Sequence, residues 1–108
     1  MSDCVFCEII AGELPSKRHY EDDEILAFDD IHPSAPVHKL IISKKHIEKL
    51  ADATNEDQNL LGKIQLVAKK LAEENSVSDN FKVVTNNGEK AGQVVKHLHY
   101  HMMGGFRK

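Results

Sequence analysis

The chain has 108 residues, enough for one compact domain and too few for two. Apolar residues make up 41% and charged residues 29%, a balance that argues against disorder and against a membrane span. The net charge of -3, with lysines dispersed among acids, leaves no basic stripe and sets duplex nucleic acid aside as a partner.

The first residues show no basic start followed by an apolar run, so no secretory leader is expected and the cytoplasm is the expected compartment. Residues 5–10 predict a short helix that stops at Gly12, and Pro15 prevents its continuation. Cys4 and Cys7 flank its first turn. In a reducing compartment this spacing reads as a metal clip or redox pair rather than a structural disulfide.

Residues 24–28 and 37–43 predict two strands, an antiparallel pair joined across the turn-rich segment 29–36. Over 55–74, Leu60, Leu61, Ile64, Val67, Ala68 and Leu71 recur at helical spacing, and Thr54 with Asp57 forms a capping-box-like start. Residues 81–85 predict another strand, Asn86-Asn87-Gly88 and Ala91-Gly92 supply loop chemistry, and 94–103 predict the last strand. The class is α+β: an antiparallel sheet of about five strands, one long helix and one short N-terminal helix, in a single domain spanning 1–108.

The last strand carries the chemistry. With period-two alternation His97, His99 and His101 share one face, and Lys96, Leu98, Tyr100 and Met102 the other. Neighbouring histidines stand about 6.6 Å apart and the outer two about 13 Å, so one metal ion does not easily take all three. Imidazole titrates near neutrality, acts as a nucleophile and, when cationic, donates to anionic oxygen. Phosphorus chemistry suits that division of labour, because its transition state spreads charge over oxygens that fixed donors can meet. Carboxyl ester hydrolysis suits it less, since no Gly-x-Ser-x-Gly elbow is present.

The run His97-Leu98-His99-Tyr100-His101-Met102-Met103 resembles the signature of the histidine triad (HIT) family. Residues 26–38, the Lys44-Lys45-His46-Ile47 segment and the stretch 86–105, with Gly92-Gln93 and Gly104-Gly105, resemble its Hint branch, so that the likeness covers nearly the whole chain. It implies a HIT-like fold, a homodimer, no required catalytic metal, and an enzyme acting on purine nucleoside 5'-phosphoramidates or related nucleotidyl compounds. His99 would attack the α-phosphorus to give a nucleotidyl-histidine, and water would release the nucleoside monophosphate. His101 would hold phosphate oxygen and help protonate the leaving amine, while His97 and His38 orient the pair. All four are expected on strands. Asp30 would accept from the ribose hydroxyls; Phe6, Ile9, Leu14, Phe28 and Ile31 would line the purine slot; Asn86, Gln93 and the backbone at Val94 would meet the phosphate.

Two departures accompany the likeness. Many Hint-branch members carry a serine where this chain has Val94, so only the backbone amide serves there, and the chain ends soon after Gly104-Gly105, where longer relatives carry a tail that shapes specificity. The likeness also implies a structural zinc held by Cys4, Cys7, His46 and His97, a Cys2His2 set of the kind that closes a tetrahedral site. Three other readings remain open: a dinucleoside polyphosphate hydrolase using the same His99, a nucleotide-binding interaction protein with vestigial activity, and a zinc hydrolase with the metal on two triad histidines.

Overall fold

A computed structural model describes residues 4–106; residues 1–3 and 107–108, the ends of the expected 1–108 domain, lie outside them. In chain order the elements are α1 (Val5–Ile10), β1 (Arg18–Glu21), β2 (Ile25–Asp29), β3 (Val37–Ser43), α2 (Gln58–Glu74), β4 (Phe81–Val84) and β5 (His99–Gly104). The five strands form one antiparallel sheet in the order β1-β2-β3-β5-β4. Among the described residues no helix is long and apolar enough to cross a membrane.

Each face of the sheet buries a different set of side chains. On one, Ile25, Ala27, Ile41, Tyr100 and Met102 pack against Leu60, Ile64, Val67, Ala68 and Leu71 of α2. Burial of side chains such as Ile64 and Leu71 contributes about 1.5 to 3 kcal/mol each. On the other, Leu26, Phe28, Leu40 and Ile42 pack against Phe6 and Ile9 of α1. The short helix covers only part of that second face, and the functional cleft opens on the remainder.

Thr54 and Asp57 exchange side-chain and backbone bonds as a capping box, but the first turn, Asn55–Asp57, is a 3-10 turn, and the α-helix proper starts at Gln58. Gly104 sits where the α2–β4 connection crosses the end of β5: a Cβ there would come within 2.7 Å of a Val77 methyl.

Two sequence expectations are corrected. β1 was not among the expected strands. Arg-His-Tyr-Glu has no apolar alternation because this is a partly exposed edge strand, paired only with β2 and with its register broken between Arg18 and Tyr20. The last strand starts at His99, not at 94. Residues 93–98 form an arch instead, in which the His97 amide donates to the Val95 carbonyl at 2.9 Å and the Leu98 amide to the Ile47 carbonyl at 2.6 Å. His97 therefore lies outside the strand, whereas His38, His99 and His101 lie within strands. Alternation survives through the arch: Leu98 is buried against the α2 face, while the His97 and His99 rings both pack edge-on against Phe6.

Candidate functional site

A cleft of about 560 Å3 opens beside α1. Phe6 and Ile9 of α1, Phe28 of β2, His38 and Leu40 of β3, and His99 and His101 of β5 form its walls, with Asp30, Ile31 and Asn86 from the loops. Phe6 anchors the apolar end, meeting Phe28 edge-to-face at 5.7 Å between centroids and His99 at 5.1 Å. Val94, 91% exposed, stands at the rim.

Hydrogen bonds fix the protonation pattern of four imidazoles. The Nδ1 of His99 lies 2.6 Å from the His97 carbonyl; a carbonyl only accepts, so Nδ1 carries the proton and Nε2 keeps the lone pair. On His38, Nδ1 accepts from the Ser34 amide at 2.9 Å, which leaves Nε2 as donor to Nδ1 of His101 at 2.8 Å. In the neutral ring of His101 the proton then sits on Nε2. The Nε2 of His97, 2.6 Å from the Ser43 carbonyl, is likewise the protonated nitrogen, and its Nδ1 turns to the cysteines.

The register explains how β3 and β5 bring two of these rings together. Leu40 pairs with His101 and His38 with Met103, so His38 and His101 are diagonal neighbours on the cleft face, within reach of long side chains. Asp30, just past the end of β2, holds one carboxylate oxygen against the His32 amide at 2.8 Å. The other lies 3.4 Å from His38 and 3.8 Å from His101.

Burial depresses the basicity of His99, His97 and His101 below the ordinary histidine value. For His99 the bond to the His97 carbonyl and the charge of Asp30 oppose that trend without cancelling it. For His101 the neighbouring His99 and His38 add to the lowering. The nucleophilic form of a histidine is its neutral form, and the site favours it.

Not every residue expected in the cleft lines it. Leu14 is 36% exposed and lies off its walls. The Gln93 side chain turns inward, donating to the carbonyls of Glu48 and Val95 and accepting from the Gly88 amide. Gln93 thereby braces the loop, and Gly92, at φ +97°, supplies the left-handed turn just before it. Conversely, Val5, Ser16, Leu40 and Val95 line the cleft without having been anticipated. Leu40 was readable from its parity with His38; the Ser34 amide that sets the tautomer of His38 was not, because a backbone donor leaves no mark in a sequence. Ser16 places a buried hydroxyl with no hydrogen-bond partner among the described residues in the same wall.

Among the described residues two clusters bring metal-ligating atoms together, Cys4-Cys7-His46-His97 and Asp30-His38-His101. In the first, the Cys4 and Cys7 sulfurs lie 3.3 and 3.6 Å from Nδ1 of His97, and Cys7 lies 3.3 Å from Nδ1 of His46. Tetrahedral zinc with ordinary bond lengths separates a sulfur from a nitrogen ligand by about 3.6 Å. His97 also directs its remaining N–H to a carbonyl, as metal-bound imidazoles do. The second cluster fails that test: the Nδ1 of His38 accepts an amide proton and cannot carry the proton that coordination through Nε2 requires. The donor chemistry therefore fits a metal at the cysteines and not at the Asp30 cluster.

Comparison with known proteins places the chain among relatives. A family model described as "Scavenger mRNA decapping enzyme C-term binding" matches residues 3–107. The chain is 46% identical to protein HitA of Neisseria gonorrhoeae over 104 residues, 96% of this chain and 97% of that protein. A crystal structure of a HIT family hydrolase from Legionella pneumophila superposes with a TM-score of 0.94 at 44% identity, covering 97% of this chain and 95% of the other. A histidine triad protein from Clostridium difficile gives 0.93 at 42% identity, covering 100% and 95%.

Proposed function

Because the chain belongs to the histidine triad family, we propose that it is a nucleotide hydrolase or transferase that cleaves purine nucleoside 5'-phosphoramidates. The observation that carries this reading is the tautomer of His99: its Nδ1–H is committed to the His97 carbonyl, so the lone pair of Nε2 is the one available for attack. The relatives described as HIT family hydrolases support the same class of reaction.

In the first half of the reaction Nε2 of His99 forms a bond to the α-phosphorus as the bond from phosphorus to the amine breaks. The leaving nitrogen takes the Nε2 proton of His101 in its cationic form, whose Nδ1–H turns from His38 toward the Asp30 carboxylate. In the second half water attacks the nucleotidyl-histidine, its proton restores His101, and His99 departs neutral. The purine stacks in the slot of Phe6, Ile9, Phe28 and Ile31; Asp30 accepts from the ribose, and Asn86 with the backbone near Val94 holds the phosphate.

A zinc ion bound by Cys4, Cys7, His46 and His97 would hold the arch to α1 and supply structure rather than chemistry. It replaces apolar core that a small domain lacks. The chain acts as a homodimer in this reading, for which the edge strand β4 offers an unpaired row of backbone groups.

Product analysis tests the assignment. Adenosine 5'-phosphoramidate yields adenosine monophosphate and ammonia, faster than diadenosine polyphosphates are cleaved. Preference for the polyphosphate would move the chain to the dinucleoside polyphosphate reading, and failure to cleave either would remove the enzymatic one.

A further inference from the structure

Asp30 and His38 meet on the cleft face of the sheet, and their chain neighbours, Asp29 and Lys39, form a second acid–base pair on the face behind it. Asp29, the last residue of β2, pairs with Lys39 of β3. Alternation along β3 puts Lys39 with Val37 and Ile41 on the α2 face, while His38 and Leu40 face the cleft. The Lys39 ammonium lies 2.5 Å from one oxygen of the Asp29 carboxylate, and Nε2 of His19 in β1 lies 3.0 Å from the other. Three adjacent strands thus meet in one cluster at the end of β2. Neither Lys39 nor His19 lines the cleft.

Lys39 is 8% exposed. Lysine is almost never so buried unless it is paired, and a buried pair is weak grounds for stability, since apolar side chains of similar volume often serve as well. Burial alone would raise the Asp29 carboxyl, but the bonds from Lys39 and His19 outweigh it and hold the group below its ordinary value. One residue further on, the Asp30 amide donates to the His38 carbonyl at 3.1 Å, and the chain then leaves the sheet through the exposed residues 31–34. The position of the Asp30 carboxylate therefore depends on where β2 ends, and Asp29 is that end.

We propose that Lys39 and His19 are positioning residues: through Asp29 they fix the end of β2, and with it the Asp30 carboxylate that receives the ribose hydroxyls. The inference rests on the reading of the cleft as a nucleotide site and adds the residues that set its preference for ribose.

Calorimetric titration of the full chain with adenosine monophosphate and 2',3'-dideoxyadenosine monophosphate reads that preference without turnover. The intact chain binds the ribose ligand about ten- to a hundredfold more tightly, the size of hydrogen bonds to a charged acceptor. Lys39→Met keeps the length of the side chain and leaves the half-exposed Asp29 carboxylate to water. It shrinks the ratio about three- to tenfold while the dideoxy ligand binds as before, because a hydrogen bond weakens steeply once its geometry is lost. Lys39→Arg keeps the cation and restores most of the ratio. His19→Leu, on the edge strand, shifts it the same way by less, and carries the test alone if circular dichroism shows Lys39→Met to be unfolded. A ratio unchanged in these variants overturns the positioning role while the nucleotide reading stands, and so does an equal loss for both ligands, the mark of a slot loosened as a whole. No ribose preference in the intact chain overturns the role given to Asp30 and the positioning role with it, and failure to bind adenosine monophosphate removes the nucleotide reading itself.

Discussion

The Nε2 of His38 meets Nδ1 of His101 across 2.8 Å, and because the Ser34 amide occupies the other nitrogen of His38, the direction of that hydrogen bond is fixed while His101 is neutral. In the proposed reaction His38 would orient the neutral ring of His101 before the proton is delivered, without being the proton donor itself. Its removal weakens acid catalysis most where the leaving group most needs a proton. We expect His38→Ala to lower kcat about 10- to 100-fold for an alkyl amine leaving group and much less for a p-nitrophenyl one. Equal losses for both would assign His38 to binding instead. The comparison is a leaving-group series with each variant.

The pH profile follows from burial. His99 and His101 both titrate below their ordinary value of 6.5 in the free protein, so the neutral nucleophile persists further into acid than a free imidazole would. The acid limb of kcat/KM is therefore expected below pH 6.5. Initial rates over a pH series at low substrate measure it, and a midpoint above 7 contradicts the assignment.

Stability has its own acidic lever in Asp22. Burial alone would raise its carboxyl, but the Tyr20 hydroxyl, the Glu24 and Ile25 amides and the Lys63 ammonium outweigh burial and hold it well below the usual range. A carboxylate depressed in the folded state stabilises it above the unfolded value near 3.8, and that contribution is lost as pH falls toward the folded value. Asp22→Asn is expected to cost about 1 to 3 kcal/mol at neutral pH. The deficit shrinks as the pH is lowered past 4, and urea unfolding at several pH values reads it.

Removal of metal separates structure from chemistry. A metal held by Cys4, Cys7, His46 and His97 would tie α1 to the arch and to the segment after β3, so chelation is expected to lower Tm by several degrees and to raise KM through Phe6, which touches both His97 and His99. The value of kcat should change little. Metal analysis of protein purified without chelator should find about one zinc per chain, and loss of kcat in parallel with metal would favour a catalytic ion.

Much of this molecule was legible in the chain itself. The long helix was readable from six apolar positions at helical spacing and the cap at Thr54, and the histidine face from simple alternation, because periodic burial writes itself into sequence. β1 was illegible because an edge strand needs little apolar alternation. The arch was illegible because its bonds run from backbone to backbone: Leu98 to Ile47 and Gln93 to Gly88. Gln93 was expected at the phosphate, yet its side chain is consumed by three bonds within the loop. Sequence likeness carried the position of that residue and not the direction its amide points.

The covalent intermediate is the most direct test. Protein mixed with adenosine 5'-phosphoramidate, quenched within the first turnover and digested, should yield a peptide bearing an adenylyl group on His99, and the His99→Ala variant should show none while still binding adenosine monophosphate. Turnover with no adenylated peptide at any quench time, or the adduct on His101, would contradict the account.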